Sequence, residues 1–267
     1  SSNSVLDSTN AKILYYHSTG EEEYPIPKLS NQMIVVGPYL NQHNYAYIKN
    51  KLHVPEGLIN LETILEKVTD FFEPDILFCW GDTGNNLIQN TQSFKGIKVL
   101  LMSDCHHMQK PIEHFLNYTK NERFDFILHG DLRIAPFFRN LNRTRHLWLP
   151  CLVVEKRLLD PIQQPLRKIV HVGQTHRFHI KRQQFISGLK KLNMDIDKVS
   201  VNQKKVFDIY NKYAVTLNVS LNGDSNMRWI QVMAAGGVLV ADKLSKNTGT
   251  NRIYSEKEVP TFSSLNE

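Results

Sequence analysis

Short apolar runs alternate with stretches of helical spacing along most of the chain. The runs are mostly continuous in apolar residues, which is typical of strands buried on both faces of a parallel sheet. The sequence predicts strands at 12–16, 33–36, 75–80, 97–102, 124–128, 146–149, 168–172, 195–201, 214–219 and 237–241. Apolar spacing predicts helices at 58–72, 178–192, 204–210 and 226–235. Repeated strand, helix and strand is the pattern of an α/β fold.

A polar segment with three prolines, residues 150–165, interrupts this pattern and is the best linker candidate. We therefore expect two lobes, an N-terminal one at 11–150 and a C-terminal one at 166–267. The last four residues, Ser264 to Glu267, have the form of a capping box, which begins a helix. We expect that a C-terminal helix was lost or was never present, so that the second lobe is truncated.

Composition and net charge narrow the classes of ligand and partner that the chain is expected to bind. The chain has 267 residues, 41% of them apolar and 22% charged, as in ordinary globular proteins. Its net charge of +6 suits a phosphate-bearing ligand, and it also allows peripheral contact with an anionic membrane. No motif that reads a nucleic-acid groove accompanies the charge, so we expect no nucleic-acid partner.

Cysteine usage and hydropathy indicate a cytoplasmic protein. The three cysteines, Cys79, Cys105 and Cys151, are odd in number and widely spaced, and they form no CxxC pair. A disulfide framework or a structural zinc site is therefore not expected. No apolar run approaches the ~20 residues that span a bilayer, and the polar first ten residues do not resemble a signal peptide.

A glycine turn follows the predicted strand at 168–172. Gly173 lets the backbone turn tightly, and the helix after it presents free N–H groups that attract anions. Arg177 and Arg182 lie close to this turn in sequence and could help to hold a diphosphate. The alternative is an ordinary strand-to-helix turn with basic residues on its surface.

A second polar turn, with Asp224 among its residues, follows the predicted strand at 214–219. The next helix begins near Asn226 and carries Arg228 and Gln231, whose spacing of three places them on one face. This arrangement suits contacts to ribose and phosphate. The alternative is a surface helix with two polar residues.

The predicted first lobe offers polar residues after the strand at 97–102. Asp104 and His106 are candidates for a catalytic base or for orienting an acceptor, since histidine titrates near neutral pH. His107 is a candidate for acceptor binding. The alternative is an aspartate that caps a helix beside two exposed histidines, and a metal site is not expected from adjacent histidines.

Two further loops of the predicted first lobe could meet a sugar. Trp80 could stack on a sugar face and Asp82 could bond its hydroxyls, although a tryptophan is more often part of the core. The loop at 17–20, after the first strand, contains Gly20, which could approach a phosphate closely.

Residues 211–237, NKYAVTLNVSLNGDSNMRWIQVMAAGG, resemble the signature of the glycosyltransferase-like proteins of the CgeB type. In that family, a strand ending in Asn leads to a helix of the form N-x-R-x-F-E-x-x-A-x-G. The resemblance extends over roughly residues 70–245 and is specific over 211–242. It implies the GT-B fold: two Rossmann-like lobes with parallel sheets that face a cleft, and a donor nucleotide mainly on the C-terminal lobe.

Carried over residue by residue, the resemblance assigns most of the donor site. It implies that Gly173 and either Arg177 or Arg182 contact the donor diphosphate, and that Asn218, Asn226 and Arg228 shape the phosphate and sugar pocket. Gln231 stands where the family has a glutamate that binds ribose, which puts donor affinity or identity in doubt.

The function that follows is a glycosyltransferase that moves a sugar from a nucleotide-diphosphate sugar, with UDP expected, to a hydroxyl of a carbohydrate, glycan or protein. We expect no cofactor and no metal ion, because arginines and helix N-termini could neutralise the leaving diphosphate. The alternatives are a non-catalytic sugar-nucleotide-binding or scaffold protein of the same fold and a sugar-nucleotide epimerase.

Overall fold

The computed structural model describes residues 10–20, 26–81, 84–102, 110–139, 144–150, 162–201 and 203–267. The chain divides into two compact units. The first consists of residues 1–130 and 134–149, and the second of residues 131–133 and 150–267.

The first unit is built on a parallel sheet. Its strands are β1 (Lys12–His17), β2 (Gln32–Gly37), β3 (Lys51–His53), β4 (Leu58–Asn60), β5 (Ile76–Gly81), β6 (Leu87–Gln89), β7 (Ile97–Met102), β8 (Phe126–His129) and β9 (Arg145–Trp148). Its helices are α1 (Leu61–Val68), α2 (Pro111–Glu122) and α3 (Ala135–Phe138). Seven strands form one sheet in the order β3-β2-β1-β5-β7-β8-β9, and β4 pairs with β6 in a second, two-stranded sheet. All of these pairings are parallel.

The central strand β1 shows why its sequence is apolar throughout. Leu14 and Tyr16 pack into one buried cluster, while Ile13 and Tyr15 pack into another. Successive side chains of a strand lie on opposite faces. The large sheet is therefore covered on both faces here, as the continuous apolar pattern predicts.

The second unit repeats this plan. Its strands are β10 (Leu166–Val172), β11 (Ile196–Val199), β12 (Tyr213–Asn218), β13 (Leu239–Asp242) and β14 (Thr261–Phe262). Its helices are α4 (Ile180–Lys191), α5 (Gln203–Lys212) and α6 (Arg228–Ala234). The strands form one parallel sheet in the order β11-β10-β12-β13-β14. The predicted α/β class with two parallel sheets is confirmed.

A short segment earlier in the chain also belongs to the second unit. Arg133 bonds the Asp131 carboxylate through Nε at 2.9 Å and donates from Nη1 to the Asn222 carbonyl at 2.9 Å. It thereby fastens residues 131–133 to the turn that follows β12.

Several elements differ from the sequence prediction, among them strands β3, β6 and β14 and helix α3, which it did not include. The predicted helix at 58–72 is instead strand β4 followed by α1, because the Asn60 side chain accepts a hydrogen bond from Glu62 N and begins the helix there. Helix α2 was not predicted from the sequence. At the last residues, the Glu267 carboxylate accepts a bond from Ser263 N at 2.6 Å, one residue earlier than a capping box at 264–267 predicts.

Among the described residues, no helix has the length and apolar character needed to cross a membrane. Cys79 is a buried free thiol, and burial raises its pKa. Cys105 and Cys151 lie outside the described residues.

Candidate functional site

The candidate site lies at the carboxyl ends of β10 and β12, the two strands between which the chain order of the second sheet reverses. From β10 the chain goes to β11 on one side and then to β12 on the other. In open parallel sheets, such a reversal leaves a crevice beyond the strand ends, where ligands bind. Gly173 follows β10 and Asn218 ends β12, so both predicted residues lie at this reversal.

Gly173 makes room for an arginine. Its φ is +125°, a region that favours glycine, and an added Cβ would lie 2.9 Å from Nη2 of Arg228. The glycine therefore serves both the turn of the backbone and the position of the guanidinium group.

Arg228, the first residue of α6, bridges the ends of both central strands. Its Nη2 donates to the Val172 carbonyl, and its Nη1 donates to Asn218 Oδ1 at 2.5 Å. Asn226 supports this bridge, since its Nδ2 donates to the same Asn218 oxygen at 3.1 Å and its Oδ1 accepts from Arg228 N at 3.1 Å. The two asparagines thus orient the arginine through neutral groups.

Arg182, in the first turn of α4, is the second cation of the site. Its Nε donates to the Val219 carbonyl at 2.7 Å and its Nη1 to the Gln174 carbonyl at 3.3 Å. Burial, and secondarily the charge of Arg228, lower the pKa of Arg182 to about 10, so it stays protonated at neutral pH.

Within the described ranges, no carboxylate bonds the arginine pair directly, and the charges of Asp224 and Asp242 only partly offset the lowering of the pKa of Arg182. Among the described residues, neither Arg182 nor Arg228 forms an ion pair with a carboxylate, and both bond only neutral oxygens. The N-terminus of the twelve-residue helix α4 adds partial positive charge beside Arg182. We call the group Gly173, Arg182, Asn218, Asn226 and Arg228 the arginine cradle.

Two buried side chains, Asn218 of the arginine cradle and the neighbouring His171, retain unused polar atoms. Asn218 is fully buried, and its Nδ2 has no hydrogen-bond partner among the described residues. His171, also fully buried, donates from Nδ1 to the Leu217 carbonyl at 3.1 Å, so its Nε2 carries a lone pair that likewise has no partner. Burial, and then the charge of Arg228, lower the pKa of His171 to about 3, which keeps it neutral.

A buried carboxylate secures the adjoining strand end. Asp242, at the end of β13, accepts from Ser220 N at 2.8 Å and from Ser220 Oγ at 2.5 Å. Lys181 Nζ lies 2.5 Å from the same carboxylate. This cluster ties α4 to the ends of β12 and β13, and it fixes the backbone on which Arg182 is carried.

The other predicted donor residues lie outside the arginine cradle or are buried. Arg177 is exposed and stacks over the ring of Phe178 at 4.8 Å, its one interaction in the described part of the chain. Asp224 is buried and accepts from Asn222 N at 3.2 Å. Gln231 is also buried, at 6% exposure, on helix α6.

The structure of the first unit shows that the predicted stacking of Trp80 on a sugar is wrong. Trp80 belongs to strand β5 and is fully buried beside His17, with ring centroids 5.8 Å apart, so it has no exposed face on which a sugar could stack. The other first-lobe candidates, Asp82, Asp104, His106 and His107, lie outside the described residues. Gly20 is explained by packing, since an added Cβ would lie 2.9 Å from the Tyr39 ring.

The first unit also has a surface groove, which lies at the end of the large sheet opposite to the carboxyl ends of its strands. A cavity of about 790 Å³ lies at the amino ends of its strands, where Lys12, Asp75 and Arg145 are among its lining residues. None of the residues predicted to act on donor or acceptor lines it.

Sequence reasoning missed His171 and Asp242. His171 interrupts the apolar run of the predicted strand at 168–172, and Asp242 directly follows the predicted strand at 237–241. A polar side chain at such a position indicates a group that is either paired or used at the strand ends, and this signal was available in the sequence.

Comparison with known proteins gives a family match for most of the second unit. Residues 156–267, which span most of the second unit, match a family model described as "Glycosyl transferase-like". Curated protein sequences gave no match. The family model supports the broader glycosyltransferase-like class, while the narrower CgeB-type resemblance stays a prediction.

Solved structures give the fold class. The chain is similar to sucrose-phosphate synthase from Thermosynechococcus elongatus, with a TM-score of 0.58 and 9% identity over 96% of this chain and 87% of that chain. It is also similar to a glycosylation-associated protein complex from Streptococcus agalactiae, with a TM-score of 0.49 and 11% identity over 76% of this chain and 48% of that chain. The predicted GT-B fold class is confirmed by the first of these.

Proposed function

We propose that the second unit binds the diphosphate of a nucleotide sugar and that the protein transfers this sugar to an acceptor hydroxyl. The observation that carries the proposal is the arginine cradle, where two cations without a carboxylate partner lie at the reversal of strand order. A diphosphate matches both the charge and the multiple donors of such a site. The glycosyltransferase-like match of residues 156–267 supports the same interpretation, and UDP is the nucleotide that we expect.

The reaction would break the bond between the sugar and the diphosphate, so that negative charge develops on the leaving oxygen. Arg182, Arg228 and the unused Nδ2 of Asn218 would stabilise that charge, which is the electrostatic role that donors fixed in advance play in catalysis. Because these groups supply positive charge themselves, we propose that transfer needs no metal ion. Transfer that persists in excess EDTA would support this part of the proposal, and its loss would contradict it.

The acceptor, a carbohydrate, glycan or protein hydroxyl, must lose a proton as the new bond forms. Asp104 and His106 remain our candidates for the base, and Asp82 and His107 remain candidates for acceptor binding. Substitution of each by alanine, with initial rates of transfer measured, would identify the base as the residue whose loss lowers kcat while donor affinity is retained.

Donor binding is tested most directly with Arg182→Gln, measured by calorimetric titration with UDP and UDP-sugars. Loss of one charged hydrogen-bond donor should cost about 1.5–3 kcal/mol, or about ten- to 150-fold in Kd. Arg177→Gln is the matched control, since it removes the same charge from the neighbouring loop. Equal losses in both variants, or no UDP binding by the wild type, would contradict the arginine cradle.

Product analysis separates the transferase from its alternatives. Incubation with a sugar nucleotide alone would yield an isomerised sugar if the protein were an epimerase. Nucleotide binding without hydrolysis or transfer, over a panel of donors and acceptors, would indicate a non-catalytic binding or scaffold protein. Gln231 stands where the resembling family has glutamate, and this difference is the reason to test for a protein that binds the donor without catalysis.

A further inference from the structure

Helix α4 presents exposed apolar side chains at both of its ends. Phe178 and Ile180, at its N-terminal end, are 67% and 61% exposed. Leu192 and Met194, at its C-terminal end, are 55% and 44% exposed. Large apolar side chains exposed in pairs are a feature of surfaces that bind a partner.

Both pairs are held on ordered backbone. At the N-terminal end, Gln183 Nε2 donates to the Thr175 carbonyl at 2.6 Å, and His179 N donates to the His176 carbonyl at 2.8 Å. At the C-terminal end, Asn193 has a positive φ and Met194 N donates to the Leu189 carbonyl at 3.0 Å, which is a Schellman cap. The pairs are therefore fixed features of the fold.

The inner face of α4 is already used. Ile186 is buried with Leu217 and Phe262, and Phe185 and Leu189 pack against the same cluster. The apolar pairs at the two ends lie outside this core and stay largely exposed, although the Phe178 ring contacts the side chains of His176 and Arg177.

The segment that carries these pairs is basic, and the carboxylate that follows it directly, Asp195, forms an ion pair with Lys168 at 3.3 Å. Residues 173–194 contain five lysines and arginines and no aspartate or glutamate. Three of these cations, Arg177, Lys190 and Lys191, are exposed and form no ion pair in the described part of the chain. This surface is therefore complementary to an anionic partner.

From this juxtaposition we infer that the exposed face of α4 docks on an anionic lipid membrane. A twelve-residue helix is about 18 Å long, so the two apolar pairs are too far apart for one small ligand, whereas a bilayer surface is wide enough to reach both. Exposed Phe, Ile, Leu and Met side chains can enter the acyl boundary while Arg177, Lys190 and Lys191 meet the headgroups. A nucleic acid would match the charge but would gain nothing from the aliphatic side chains. The inference does not depend on the proposed transfer reaction.

Co-sedimentation of the full chain with vesicles tests this inference. We expect binding to vesicles of phosphatidylcholine mixed with phosphatidylglycerol, weaker binding to phosphatidylcholine alone, and a decrease with added salt. The double variant K190E/K191E should weaken binding at least about 25-fold, since each basic side chain near an anionic bilayer contributes about fivefold. The double variant F178S/I180S should weaken binding about tenfold or more.

Matched variants elsewhere serve as controls. K205E/K212E makes the same charge change on α5 of the same unit, and Phe71→Ser removes an aromatic side chain that is 73% exposed. Both should bind vesicles like the wild type, and circular dichroism should show that all variants are folded. UDP titration of K190E/K191E should match the wild type, which separates this inference from the proposed donor site.

Three results would overturn the inference. The first is no binding to the anionic vesicles, and the second is equal weakening in the control variants. The third is binding of single-stranded RNA, or self-association in light scattering without lipid, that accounts for the effect of the α4 variants while vesicles are not bound.

Discussion

Replacing Gly173 by alanine tests whether the glycine turn and Arg228 act together. The added methyl group would occupy a backbone position with φ of +125° and would lie 2.9 Å from Nη2 of Arg228. The backbone must become strained, and the guanidinium must move away from the Val172 carbonyl that it now bonds. We therefore expect Gly173→Ala to affect both the stability and the anion affinity of the second unit.

The two effects change different quantities, the free energy of unfolding and the affinity for UDP. Strain at a backbone conformation that L-residues rarely adopt costs about 1–3 kcal/mol in the free energy of unfolding. Displacement of Arg228 weakens a charged hydrogen bond to a bound diphosphate, which contributes about 1.5–3 kcal/mol. We expect the Kd for UDP to rise by about ten- to 150-fold, in addition to the loss of stability.

Gly57→Ala is the control that separates these effects. Gly57 has a φ of +101°, yet an added Cβ would have no atom within 4 Å. Urea denaturation should show a loss of stability for both variants, whereas calorimetric titration should show weaker UDP binding for Gly173→Ala alone. A Gly173→Ala protein that is destabilised but binds UDP like the wild type would refute the coupling between the turn and the arginine.

Three further predictions concern buried polar groups of the two units. Asn218→Asp places a carboxylate 2.5 Å from Arg228 Nη1 with almost no change of shape, so UDP titration should show binding about ten- to 100-fold weaker, and unchanged binding would contradict the role of the arginine charge. His17 and His171 have pKa values lowered by burial from 6.5 to about 3; between these values the folded protein binds fewer protons than the unfolded chain, so the free energy of unfolding falls as the pH drops below 6.5. The expected loss at about pH 5.5 is about 1.4 kcal/mol per histidine, and urea titrations at neutral and acidic pH should show less acid sensitivity in His171→Gln. Asp242→Ala removes the acceptor of three bonds and leaves Ser220 unpaired, which should cost about 3–5 kcal/mol in urea denaturation, whereas Glu256→Ala, at an exposed ion pair with Lys243, should cost less than about 1 kcal/mol.

Most strands of the two large sheets could be predicted because they are buried on both faces, whereas the short edge strands β3 and β14 were missed. For an apolar run such as Ile97–Met102, a buried strand is the element that explains both the length of the run and its flanking turns. Strand β4 could not be separated from α1, since its three residues continue the apolar spacing of the helix and only the Asn60 side chain marks the boundary. Helix α2 was missed because polar residues dominate its sequence, PIEHFLNYTKNE.

Some residues of the candidate site could likewise be predicted from the sequence, and others could not. Gly173, Arg182 and Arg228 could be placed together because the carboxyl ends of parallel strands lie at the same end of a sheet, whereas Asn218 was assigned through the family resemblance. Trp80 was misplaced because strand β5 continues to Gly81, so the side chain belongs to the strand and to its core. The ring nitrogens of His171 could not be assigned, since their roles depend on the Leu217 carbonyl of a neighbouring strand.

The bond from Arg133 to the Asn222 carbonyl bears on any attempt to divide the protein. A fragment that begins at residue 150 or 166 would contain every strand of the second sheet but would lack residues 131–133. Its turn at 222–224 would lose the guanidinium that now anchors it, a few residues before Asn226 and Arg228. UDP binding measured on such a fragment would therefore underestimate that of the intact chain. A separately supplied peptide that covers residues 131–133 would restore the lost guanidinium group.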